Sequence, residues 1–385
     1  MRRQSVLNSR HRALGARLDR SWNGVAVAER YDTDPYDEIA AVRYRAGLID
    51  ISSHNIVHVA GPRAAACLNH ILTTDITRLR AGDTHCSNIV DDDGALIDDV
   101  LVYCDGPGRF RLSHGEGQLQ TVLAEFAGQF SVDVTPDDDV HVLSLQGPVS
   151  PAVLAPLLAL DLGDVPLGVH RGATLFGAKV SLVRGGFFGE TGFEIFCAAA
   201  DAGAVWDGIL AAGRPAGVIP VSWRCLEIAR IEAGLLFFPY DMAQLGTTPW
   251  EVGAGWTVDL DKPAFRGRAA SAACRDNPRS LIAGFDVASN AAMPPGAPVL
   301  RDGVEIGRVT SAVYSRHLMK SLAMAQIAPS HTAIGTRVEI QAGGGALMAA
   351  HVVQMPFYDP QRLRTAAPPA GSSDAGSGMA RAVQL

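Results

Sequence analysis

The chain has 385 residues, a net charge of −7 at pH 7, and 48% hydrophobic against 19% charged residues. That length exceeds one ordinary core and calls for two or three domains, and the negative charge argues against nucleic acid or an anionic membrane as main partner. No apolar run approaches the roughly 20 residues of a membrane span, no signal-peptide pattern follows the paired arginines at the start, and six scattered cysteines offer neither a C-x-x-C pair nor metal-ligand spacing, so a cytoplasmic protein without a metal site is expected.

In chain order, a helix is predicted over residues 37–46, with Ile39, Val42 and Ala46 on one face and Gly47 as its stop. Residues 48–51 and 56–59 read as strands, and Gly61-Pro62-Arg63 opens a helix that runs to Leu72. Strands near 87–90, 96–104 and 110–113 precede a helix over 118–126 and a buried strand over 141–146. This mixture is α+β in pattern, without the regular alternation of a doubly wound sheet. Residues 57–68 and 143–157 share a strand, a Gly-Pro step and a helix, which points to two related, interleaved halves within 1–280. Beyond 280 come short strands at 282–287, 303–311, 322–327, 336–341 and 346–353, the texture of a small β-barrel or sandwich domain over 281–364. Residues 365–385 collapse to Ala, Pro, Gly and Ser and read as a disordered tail.

The run from Gly94 to Tyr103 carries most of the chemical information. Asp98 and Asp99 open an apolar segment that reads as a buried strand, and an acid at the mouth of such a strand lies at the floor of a cleft, where burial tunes its proton affinity. Asp98 reads as a cap on the turn before the strand and Asp99 as the residue for chemistry.

This run resembles the G-G-x-x-D-D-L-x-V-Y segment of the glycine-cleavage T-protein (aminomethyltransferase) superfamily. Further resemblances follow in order: residues 41–52, with Ala41-Val42-Arg43 and Gly47-Leu48-Ile49-Asp50-Ile51-Ser52; Leu145-Gln146-Gly147-Pro148; Gly189-Glu190-Thr191-Gly192-Phe193-Glu194; Arg230-Ile231-Glu232-Ala233-Gly234; Thr248 to Val258; and Gly307 to Ser311 with Pro356-Phe357-Tyr358. With Ser9 to Tyr31, which resembles the family's opening helix and the loop after it, they span roughly residues 9–362. The resemblance implies a three-domain, cloverleaf-like fold with a C-terminal β-barrel and a central channel for tetrahydrofolate. Glu194 would accept from the pterin 2-amino group and ring N–H as a two-toothed acceptor. Tyr103, Phe187, Phe238 and Trp256 would supply aromatic walls. Asp99 matches the acid beside the folate nitrogens that carry the one-carbon unit, where it would position a nitrogen, take its proton or stabilise positive charge.

Several segments depart from the T-protein pattern. Asp50-Ile51-Ser52-Ser53-His54-Asn55 stands for D-V-S-H-M-G, Arg224, the candidate to bind folate in place of the family arginine, is displaced from it by two positions, Glu227 replaces an aspartate, and Phe187 lacks a tyrosine hydroxyl. These changes cluster on the side of the one-carbon donor. The favoured reading is therefore a tetrahydrofolate-dependent methyltransferase or demethylase that takes a methyl group from an O- or S-methyl donor. Such a transfer needs a general acid, with His54 and Tyr240 as first candidates and His58, His85 and His114 behind them. Two alternatives stay open: a true aminomethyltransferase working with a lipoyl carrier protein, and a non-catalytic folate-binding protein.

Overall fold

The computed structural model describes residues 4–242 and 246–366; the predicted tail lies outside the described residues from 367 onward, while Leu363–Ala366 forms a short helix. Two large open sheets, a two-stranded hairpin of Arg20–Trp22 and Val25–Val27, and a closed barrel make up the α+β fold. The first sheet is antiparallel and ordered Thr84–Val90, Leu96–Gly106, Arg109–His114, Asn55–Ala60, Asp133–Pro136. The second runs His170–Leu175, Ala178–Arg184, Gly192–Ala198, Val140–Gln146, Gly47–Asp50, Ile219–Pro220, and only its last pair is parallel. Strands Leu281–Val287, Lys320–Ile327, Val304–Ser315, Pro298–Arg301, Arg337–Gln341 and Leu347–Val353 close the barrel. The predicted strands are present within a few residues of their expected ends, and Pro298–Arg301 completes the barrel as a strand the sequence reading did not include.

The two open sheets use one local device twice. Strand Asn55–Ala60 runs into Gly61 at φ +137° and helix Ala64–Ile71, and strand Val140–Gln146 runs into Gly147 at φ +134° and helix Ser150–Leu154. A side chain is strained at either angle. At Gly147 a Cβ would also lie 2.4 Å from the Arg45 carbonyl oxygen.

Period-2 alternation gives each sheet two different faces. In Leu96–Gly106, Val100 and Val102 pack with Leu68, Ile71, Leu119 and Leu123 of the covering helices, while Leu101 and Tyr103 point to the opposite, central cluster. In Gly192–Ala198, Phe193, Ile195 and Cys197 face the core that includes Trp206 and Ile209, while Phe196 joins the central cluster. The sheets meet there: the Tyr103 and Phe196 rings lie edge to face at 5.3 Å, with the Arg111 guanidinium 4.7 Å from both.

Caps and buried ion pairs fix the remaining pieces. Asp34 caps helix Pro35–Tyr44, and Ser222 caps helix Trp223–Glu232. Glu38 then joins the two helices by accepting from the Ser222 hydroxyl and N–H at 2.5 and 2.8 Å. Arg43, wholly buried, reaches Glu232 at 2.7 Å, Glu190 at 3.3 Å and the Phe188 carbonyl at 2.7 Å, and its guanidinium lies 4.0 Å over the Tyr358 ring. Ser315 of the barrel donates to Glu232 and Tyr358 to Glu190, so this one cation ties both helices to the barrel and to the segment after it. Arg230 does similar work, pairing with Asp241 at 2.6 Å and donating to Ser311 at 2.9 Å.

Candidate active site

The inner faces of the two sheets, the segment 234–242 and residues 252–257 enclose a cavity of about 370 Å³. Asp99 lines it from the first sheet, paired in register with Asn88, and Glu194 lines it from the second, paired with Ser144 and Val183. Asp99 keeps part of its surface open to the cavity although it lies deep in the molecule, and Glu194 is 7% exposed. Neither carboxyl meets a hydrogen-bonding or ion-pairing side chain among the described residues; Asp99 is bonded only by its own backbone N–H.

Burial without a partner disfavours the charged form. It pushes Glu194 up to about 7 by desolvation alone. It pushes Asp99 up to about 7 as well, with the neighbouring Asp98 adding to the effect. Cys86 feels both acids: burial raises its thiol first, then the charges of Asp99 and Glu194. Two carboxyls held near neutrality therefore face one cavity from opposite sheets.

The walls are largely aromatic. Trp22, Phe187, Phe237, Phe238, Trp223 and Trp256 line the cavity, with Trp22 and Trp223 at 5.3 Å and Phe187 edge-on to Phe237 at 5.6 Å. His54 also lines it; its Nδ1 lies 2.8 Å from the Ile51 carbonyl and its ring stands edge-on to Trp22 at 4.8 Å. Opposite, Asn88 donates to the Thr257 hydroxyl at 2.5 Å, which ties the Trp256–Thr257 wall to the first sheet.

Of the residues expected from the sequence, the structure brings together Asp99, Glu194, His54, Phe187, Phe238 and Trp256. Tyr103 lies beneath the cavity, fully buried, with its hydroxyl unpaired and subject to the charge of Glu194. Tyr240 is 41% exposed and stacks on the outer side of Phe237 at 5.7 Å. Arg224 is outside the lining; its backbone N–H donates to the Glu29 carbonyl, and it is Trp223 before it that lines the wall. His58 pairs with Asp137 at 2.8 Å, and the His85 ring lies 2.6 Å from the Cys86 carbonyl; neither belongs to the lining. His114 does belong to it, and its Nδ1 lies 3.1 Å from Asp98. Asp98 correspondingly does more than cap a turn: it is fully buried and accepts from the Leu119 N–H at 2.8 Å, at the start of helix Leu119–Phe130.

Sequence reasoning missed Trp22, Cys86, Asn88, Met355 and Arg362. For Trp22 a signal existed, since Asn23-Gly24, both at positive φ, forms the tight turn between Arg20–Trp22 and Val25–Val27. Met355 and Arg362 come from beyond the barrel, and no local pattern announces that the chain returns to the cavity there.

Among the described residues, no group of three or more His, Cys, Asp or Glu is placed to hold a metal, and no helix is long and apolar enough to cross a membrane.

Residues 7–262 match the family described as the GCVT N-terminal domain, and residues 281–359 match the glycine cleavage T-protein C-terminal barrel domain. The chain is 38% identical to the heme-dependent oxidative N-demethylase gamma subunit of Ectopseudomonas mendocina, over 95% of this chain and 98% of that one. It is 33% identical to the aminomethyltransferase of Streptomyces avermitilis, over 94% and 98% respectively. Among solved structures it superposes on the glycine cleavage system aminomethyltransferase T of Bartonella henselae with a TM-score of 0.85 at 26% identity, covering 93% of this chain and 98% of that one. The chain belongs to the glycine-cleavage T-protein family of one-carbon-transfer enzymes.

Proposed function

We propose that this enzyme transfers a one-carbon unit to tetrahydrofolate, taking up formaldehyde-level carbon that originates from a nitrogen-bound methyl group. The observation that carries this reading is the pair of side-chain-unpartnered carboxyls, Asp99 and Glu194, on opposing faces of one aromatic-walled cavity. Glu194 lacks the donors that a buried carboxylate requires, and the 2-amino group and ring N–H of a pterin are donors of that kind. Phe187, Phe238, Trp223 and Trp256 offer flat apolar walls to such a ring.

When bound, tetrahydrofolate supplies amine nitrogens as acceptors for the carbon. This chain's part is to hold them and to manage their protons. Asp99, at about 7, is close to the operating pH, so it takes a proton from an attacking nitrogen in its ionised form and returns it to a leaving oxygen or amine. Its negative charge also stabilises a carbon that becomes cationic in transit. The exchange is redox-neutral: a formaldehyde-level carbon gains two bonds to nitrogen while its oxygen leaves as water with both nitrogen protons. Any oxidation that frees an N-methyl carbon then belongs to a partner, as the subunit name of the 38% identical relative suggests.

The names of both reported relatives carry nitrogen-bound carbon, N-demethylase and aminomethyltransferase, which favours this donor class over the O- or S-methyl donor expected from the sequence. The aminomethyltransferase likeness also keeps a second reading in view, in which a lipoyl carrier protein delivers the carbon. The test is to give the purified protein tetrahydrofolate with carbon-labelled formaldehyde, an O-methyl donor or an aminomethyl-lipoyl carrier. Methylenetetrahydrofolate from formaldehyde above the uncatalysed rate, lowered about 100-fold in Asp99→Asn, is the expected result. 5-Methyltetrahydrofolate from the O-methyl donor would overturn it, and product from the carrier alone would select the second reading.

A further inference from the structure

Near the start of strand Leu96–Gly106 the chain buries an acid and an imidazole together: Asp98, which is turned toward helix Leu119–Phe130, and His114, which also helps to line the cavity. Asp98 is fully buried and accepts from the Leu119 N–H at 2.8 Å, while its other oxygen has no hydrogen-bond partner. The His114 Nδ1 stands 3.1 Å from the first oxygen, a close ion-pair distance with poor hydrogen-bond alignment, and His114 is itself 4% exposed. Register brings them together: His114 is opposite Val100, two residues along the same face from Asp98. Gly117 leaves the space, since a Cβ there would lie 2.0 Å from the Asp98 carboxyl carbon.

We propose that Asp98 and His114 are positioning residues for Asp99, a buried acid–imidazole pair beside it whose charge state governs the proton on the carboxyl in the cavity. This rests on the role given to Asp99 above, but it concerns the protein alone. Two adjacent carboxylates out of water cannot both ionise without a compensating cation. The groups that face Asp99 are few. Asp98 precedes it on its own strand, Cys86 and the neutral Asn88 lie on the neighbouring strand, and His114 is on the other side. Glu194, His54 and Arg362 complete the charged and titratable lining of the cavity. Among these, His114 is the group that meets Asp98 directly. A proton on His114 lets Asp98 hold its charge; without one, the two acids share a single negative charge.

The test is carboxyl-carbon NMR titration of the full chain without folate, with labelled aspartate and the Asp99 signal assigned by its loss in Asp99→Asn. Asp98→Asn keeps an acceptor for the Leu119 N–H, and it should lower the Asp99 midpoint by about one pH unit or more. His114→Asn should raise the later of the two carboxyl ionisations, because no counter-ion remains. Unfolding curves identify the folded variants, and each variant is read independently if the other fails to fold. An Asp99 midpoint within about 0.3 pH units of wild type in a folded variant would overturn the proposal. Calorimetry with tetrahydrofolate on the same samples separates this outcome from failure of the folate reading, since loss of binding in the wild type leaves the titration result standing.

Discussion

Around Arg43, two glutamates leave the water together with the cation that matches them: Glu232 and Glu190 are paired to it, and Ser315 and Tyr358 each donate to one of them. At the cavity, Asp99 and Glu194 leave the water with no side-chain donor among the described residues. Both centres are buried acids on the same scaffold, and they differ in who supplies the compensation. The first is closed by the chain itself and holds helices, barrel and C-terminal segment in register. The second stays open to whatever enters the cavity. Buried acids that are satisfied internally report on stability, and those left open report on binding.

The largest effect should come from breaking the closed centre. Arg43→Met strands two buried carboxyls and should cost about 3–5 kcal/mol, read as a lower urea midpoint at unchanged slope. Because Arg43 also holds the Phe188 carbonyl beside the cavity-lining Phe187, any folded remainder should bind ligand poorly.

At the open centre the sign reverses. The Glu194 carboxyl is raised from an ordinary 4.5 to about 7, so the folded protein holds a proton there that the unfolded chain has lost. Its contribution to stability is therefore complete below about pH 4.5 and declines as pH rises through about 7. Glu194→Gln should be more stable than wild type above pH 7, by up to about 3 kcal/mol, and the gain should vanish below about pH 4.5. Urea unfolding across pH 4 to 8.5 measures this. A loss of stability at pH 8 would mean that Glu194 has a structural partner after all.

The smallest effect belongs to Tyr240. It stands outside the cavity lining and is 41% exposed, so Tyr240→Ala should shift stability by no more than about 0.5 kcal/mol and leave turnover within about twofold of wild type. A large fall in turnover would return it to the role of general acid for which the sequence made it a candidate.

How much of this was legible beforehand depends on whether the signal was local. The run Leu96–Tyr103 reads as a buried strand opened by two acids, but its polarity does not alternate, so it is the likeness to the T-protein segment that singles out Asp99, while Glu194 follows from its Gly-rich turn and aromatic neighbour. Opposite faces of a strand also separate Asp98 from Asp99, but what Asp98 does required knowing that His114 falls beside it across the sheet. Pairing register over that distance leaves no trace in composition or spacing. Arg224 illustrates the reverse error: proximity in sequence to an expected arginine position suggested a ligand contact, whereas helix Trp223–Glu232 turns Trp223 to the cavity and leaves Arg224 off its wall. Met355 and Arg362 reach the site only because Arg43, Glu190 and Tyr358 fold the segment after the barrel back onto the first two sheets.

The most direct measurement is calorimetric titration with tetrahydrofolate at pH 7.5 of the wild type, Glu194→Gln and Asp99→Asn. The account predicts micromolar binding by the wild type, a loss of about 30-fold or more in Glu194→Gln, equal to about 2 kcal/mol, and affinity within a few-fold of wild type in Asp99→Asn. Equal affinity for wild type and Glu194→Gln, or no binding by a folded wild type, would contradict it.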